Sequence, residues 1–210
     1  MARLNSWGQQ ARVVQSAVAY GAAALITVTL HEFAHGFAAL LFGLKPAVYG
    51  LHEEDIANAT VPATVIAAAG PVASLVFGLI FLTLHKHLRG QGFARYLTLW
   101  LGLLGIAVFM GYLVTPPFFK DGDVYKVFVS LGTASPVFFW LSLLIGGIGI
   151  VQLARTGLLC LLNLTNSDVA LRPQLMASGL LAWMLAAFLC CWRWFRSGRS
   201  NSWPSEPLRP

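Results

Sequence analysis

Residues 13–44 read VVQSAVAYGAAALITVTLHEFAHGFAALLFGL. A helix of that length runs about 48 Å, against the roughly 30 Å of a bilayer's hydrocarbon core, so it must tilt or protrude. The small residues from Ala17 to Ala24 could pass for the end of a signal sequence. Apolar character continues well past any cleavage point, however, which reads as a retained span. Three ionisable residues interrupt it at His31-Glu32-Phe33-Ala34-His35.

Working outward, further apolar stretches run from about Val61 to Leu84, Tyr96 to Thr115, Val137 to Leu162 and Leu175 to Trp194. The whole chain agrees: of its 210 residues 57% are hydrophobic and only 10% charged, where a soluble domain carries roughly 25% charge. That excludes a soluble enzyme, a coiled coil or a disordered chain. The expected fold class is an all-α polytopic membrane protein with about five transmembrane helices, or six if one more span lies near Asp121 or Arg155. Residues 1–195 form one transmembrane domain, with accessory helices over 137–195, and the polar tail 196–210 reads as disordered. The chain is expected as a multi-pass integral protein of the lipid bilayer.

The net charge of +6 does not point to nucleic acid. Its basic residues cluster between apolar runs, at Lys86, Arg89 and Arg95 and again at Arg193, Arg196 and Arg199, as expected at membrane surfaces. Arg3 and Arg12 fall on the side of the first cluster. Tyr96, Trp140 and Trp194 stand near span ends and read as interfacial anchors. His85 and His87 read as part of a solvated basic loop. Gly146-Gly147-Ile148-Gly149 suits close helix packing, and the segment from Val124 to Leu131 reads as amphipathic. Cys160, Cys190 and Cys191 form no disulfide framework or metal motif.

The chemistry concentrates at HExxH. Positions i and i+4 share one helical face, so His31 and His35 can reach one ion, and Glu32 stands beside them to accept a proton from water. In a soluble helix the same five residues are often only a polar turn. In an apolar helix each ionisable group costs on the order of 3 kcal/mol, which favours a shared metal partner. A catalytic zinc needs a third protein ligand and an open position. Asp121 and Asp123, after the third span, are candidates, as are Glu53, Glu54 and His52 in the polar stretch 45–60. Gly70-Pro71, in mid-span, removes one backbone donor and kinks the helix.

Three landmarks, in order, carry a family likeness: His31-Glu32-Phe33-Ala34-His35, then Gly70-Pro71-Val72-Ala73-Ser74, then Pro116-Pro117 followed by Asp121-Gly122. With these the sequence resembles the site-2 protease family of intramembrane zinc metalloproteases, over roughly residues 13–135. The resemblance implies a three-helix metalloprotease core holding one Zn2+ on His31, His35 and Asp121, with Asp123 as the alternative ligand. It implies Glu32 as general base, and Gly70, Pro71 and Ser74 as substrate-binding residues. The expected activity is hydrolysis of peptide bonds in a membrane-protein substrate, as in regulated intramembrane proteolysis. The chain departs from the family pattern at Ser74, where the family usually carries Asn, and in the looser spacing from the prolines to Asp121. It leaves no room for an inserted PDZ domain. Two rival readings are an iron-dependent lipid oxygenase or desaturase, for which five histidines are few, and a non-catalytic metal-binding or transporter-like partner protein.

Overall fold

The computed structural model describes residues 2–44, 60–89, 92–118 and 122–164. The fifth apolar stretch, Leu175 to Trp194, and the tail lie outside the described residues, as do Asp121, His52, Glu53 and Glu54. The described residues form α1 (Ala2–Leu41), α2 (Thr60–His87), α3 (Phe93–Val114), α4 (Asp123–Ser130) and α5 (Pro136–Leu164). Four of these are long and apolar enough to cross a membrane, over Gln10–Leu41, Pro62–His87, Phe93–Val114 and Pro136–Leu161. Their outward faces are apolar: Leu25, Phe33, Leu41 and Val137 are each more than 60% exposed. Such a surface is stable against lipid and costly against water. The chain is an all-α polytopic membrane protein.

One stripe of α1 is buried, and it is made of small or polar residues. Ser16, Ala19, Ala23, Thr27, His31, His35 and Ala38 recur at helical spacing along it. Small side chains let a neighbouring backbone approach, as is usual between helices in lipid. Near one end Trp100 Nε1 donates to Ser16 Oγ at 3.1 Å, and the Tyr20 and Trp100 rings meet edge to face at 5.1 Å.

Glycine sets the distance between α2 and α3. A Cβ at Gly78 would lie 2.7 Å from the Ile106 backbone nitrogen, one at Gly102 would lie 2.8 Å from the Leu82 nitrogen, and one at Gly105 would lie 2.6 Å from the Ser74 carbonyl oxygen. The seam therefore admits no larger residue without moving backbone, and it fixes Ser74 in depth. α5 meets α3 in the same way, with Gly146 against Met110 and Val114 and Gly149 against Met110. Ser142 donates to the Leu113 carbonyl at 2.5 Å.

The third crossing is broken. Thr115 closes α3, and Pro116-Pro117 cannot continue it because proline lacks the donor that the next turn requires. The chain turns through Gly122, at φ 93°, and restarts as α4. Thr64 near the start of α2 donates to Ser130 at the end of α4 at 2.5 Å. The eight residues of α4 thus run alongside the first turns of α2, and the break lies level with the interior of α2. Irregular backbone at such depth is tolerated where protein covers it or where it lines a cavity. Phe128 and Tyr125 of α4 pack on Phe138 and Phe139 of α5.

Two expectations are corrected. Tyr96 is 0% exposed and lies in the core with Leu99 and Trp100, so it is not an interfacial anchor. The anchor reading uses position along a span, whereas burial depends on which face meets the small-residue stripe of α1. His85 is not in a solvated loop either. α2 continues to His87, and the buried His85 donates from Nδ1 to the Arg95 carbonyl at 3.0 Å, satisfying an acceptor near the start of α3.

Candidate metal centre

His31 and His35 fall on the buried stripe of α1, at 4% and 7% exposure. His31 is ten residues from the end of that helix, or about 15 Å, roughly half the depth of the hydrocarbon core. The Nε2 atoms of the two rings are 3.1 Å apart. Asp123, the first residue of α4, brings its Oδ2 to 3.1 Å from His31 Nε2 and 3.2 Å from His35 Nε2. The three ligand atoms form a nearly equilateral triangle. Tetrahedral zinc with ligands at 2.0–2.1 Å would space them about 3.3 Å apart, so the donor set fits such an ion closely. Among the described residues this is the group of His, Cys, Asp and Glu able to hold a metal.

The tautomers follow from the partners. His35 Nδ1 lies 2.6 Å from the Ile66 carbonyl oxygen. A carbonyl only accepts, so Nδ1 carries the proton and the neutral ring's lone pair sits on Nε2, facing the triangle. His31 Nδ1 lies 3.0 Å from Ser74 Oγ. When the ring donates to that hydroxyl, its Nε2 also offers a lone pair. Two lone pairs and an anionic oxygen converge at about 3 Å, an arrangement that calls for a cation or proton between them.

No family model, curated protein or solved structure matches the chain.

The other residues singled out in the sequence surround this triangle. Gly70 lies directly against it: a Cβ there would touch His35 Nε2 and come within 2.7 Å of His31 Nε2. Pro71 follows in the turn of α2 whose Ile66 carbonyl takes the His35 bond. Ser74 is 2% exposed, and its hydroxyl meets the back of His31. Glu32 is exposed on the next face of the same turn, close enough to act electrostatically on His35. The carboxylate that completes the triangle is Asp123, the alternative to Asp121. The sequence reading missed Tyr112, whose ring stacks on His31 at 5.2 Å and 5°, and the Ile66 carbonyl. No local pattern marks either one, because both contacts depend on helix register.

Proposed function

We propose that this chain is an intramembrane zinc metalloprotease of the site-2 protease type, hydrolysing peptide bonds of membrane-embedded protein substrates. The observation that carries the reading is the convergence of His31 Nε2, His35 Nε2 and Asp123 Oδ2 within 3.2 Å of one another inside a membrane helix bundle. The order of HExxH, Gly-Pro and Asp-Gly landmarks supports the same family. Bound there, zinc would lower the pKa of water toward 7 and polarise the scissile carbonyl. His31, His35 and Asp123 would hold the ion, leaving a fourth position for water or the scissile carbonyl. Glu32 takes the proton of the attacking water and returns it to the leaving amine. Gly70 keeps α2 clear of the ligand nitrogens, and Ser74 and the Ile66 carbonyl fix the two ring orientations.

The test uses the full chain, purified in detergent and reconstituted with a library of single-span helices. About one zinc per chain is expected, with cleavage abolished by a chelator and restored by added zinc. Zinc-independent cleavage, or a fully zinc-loaded chain that cleaves no member of the library, would overturn the proposal. In the same preparation Ser74→Ala is expected to weaken zinc binding about 10–100-fold, the usual cost of losing the partner behind a ligating imidazole. Competition against a chelator of known affinity measures it, and wild-type affinity would remove Ser74 from the ring-orienting role.

A further inference from the structure

We infer that Tyr112 is a positioning residue for the metal centre, aligning the His31 ligand with the turn that delivers Asp123. The inference rests on the zinc reading above but names a residue that no motif marks. Tyr112 stands in the last turn of α3, just before the Pro116-Pro117 break. Its ring lies parallel to the His31 imidazole, with 5.2 Å between centroids and 5° between planes. His31 is thus held at Nδ1 by Ser74, on one face by Tyr112 and at its edge by His35, the last at 4.8 Å and 79°.

The same tyrosine reaches the other half of the site. A side chain at Gly122 would stand 3.7 Å from Tyr112 Cε1 and 3.8 Å from Cδ1, so the turn immediately before Asp123 rests close against this ring. Gly122 has φ 93°, a conformation that suits glycine. One aromatic ring therefore abuts a ligand from α1 and the backbone that aims the ligand from α4. The stack also has an electronic consequence. Coordination draws electron density from an imidazole, and the electron-rich face of a phenol favours the more positive ring.

A flat ring that does both jobs should affect metal binding more than it affects folding. The test uses the detergent-purified full chain, with zinc affinity by chelator competition, the visible spectrum of the Co2+-substituted protein, and thermal stability of the metal-free form. Tyr112→Leu is expected to weaken zinc binding about tenfold or more and to change the Co2+ bands. Tyr112→Phe, which keeps the stack, is expected to restore most of the affinity. Tyr112→Met, which keeps bulk without a flat face, should follow Leu and covers the case in which Leu fails to fold. Leu104→Ala on the same helix should lower metal-free stability while leaving zinc affinity and the Co2+ spectrum unchanged. Wild-type affinity and spectrum in both Leu and Met variants, or an equal loss in Phe, would overturn the inference while leaving the zinc site intact. A wild-type chain that binds no zinc would instead overturn the reading of the site, and this inference with it.

Discussion

Gly70→Ala is expected to empty the metal centre while leaving the helices in place. An added Cβ would touch His35 Nε2 and lie 2.7 Å from His31 Nε2, in the space that the ligand lone pairs face. Helix propensity alone points the other way, since replacing an interior Gly by Ala favours a helix by roughly 1 kcal/mol. The clash decides the sign at the site. The Cβ would stand where the ion must sit between the two nitrogens, so the methyl group and the ion exclude each other. α2 cannot retreat to make room, because Gly78 and Gly105 already bring its backbone against α3 at the closest spacing. Zinc content is expected to fall from about one per chain to near none, with cleavage lost and helical circular dichroism unchanged. Wild-type zinc content in Gly70→Ala would show that the ion, if bound, sits elsewhere.

What made the histidine pair legible is periodicity. His31 and His35 fall four apart on the helical stripe that also carries Ser16, Ala23 and Thr27, so one-dimensional spacing fixes their shared face. The four spans among the described residues were legible because a run of apolar residues states its own length; the fifth apolar stretch lies outside the described residues. The carboxylate that joins the two imidazoles was not legible. Asp121 and Asp123 lie two apart around a glycine, and the direction in which the Asp123 carboxylate leaves the turn depends on Gly122 at φ 93° and on the register of α4 against α2. Neither is encoded in local composition. Ser74 was visible as a residue but its partner was not, because its contact with His31 spans 43 positions and depends on the glycine seam that fixes α2 in depth. The first span was legible from about Val13, against Gln10 in the structure, but the helix itself begins earlier, at Ala2. Its first turns, from Ala2, are too polar to register as a span, but they contain no proline to stop a helix.

Glu32→Gln should separate chemistry from metal binding in the opposite sense to Gly70→Ala. Glu32 stands outside the ligand triangle, exposed on the adjoining face of the same helical turn. Gln has nearly the same volume and helix propensity, so α1 and its buried stripe are undisturbed. What disappears is a side chain able to take a proton. General-base catalysis contributes typically 10²- to 10⁴-fold, so the cleavage rate is expected to drop by about that factor, with zinc content near one per chain. The two variants then form a crossed pair: one loses metal and activity together, the other loses activity alone. Measuring cleavage rate and zinc content on the same preparations distinguishes them. A Glu32→Gln chain that cleaves at the wild-type rate would mean that another group moves the proton. The HExxH would then serve only as a pair of ligands, because nothing else in that motif can accept a proton once both imidazole lone pairs are committed to the ion.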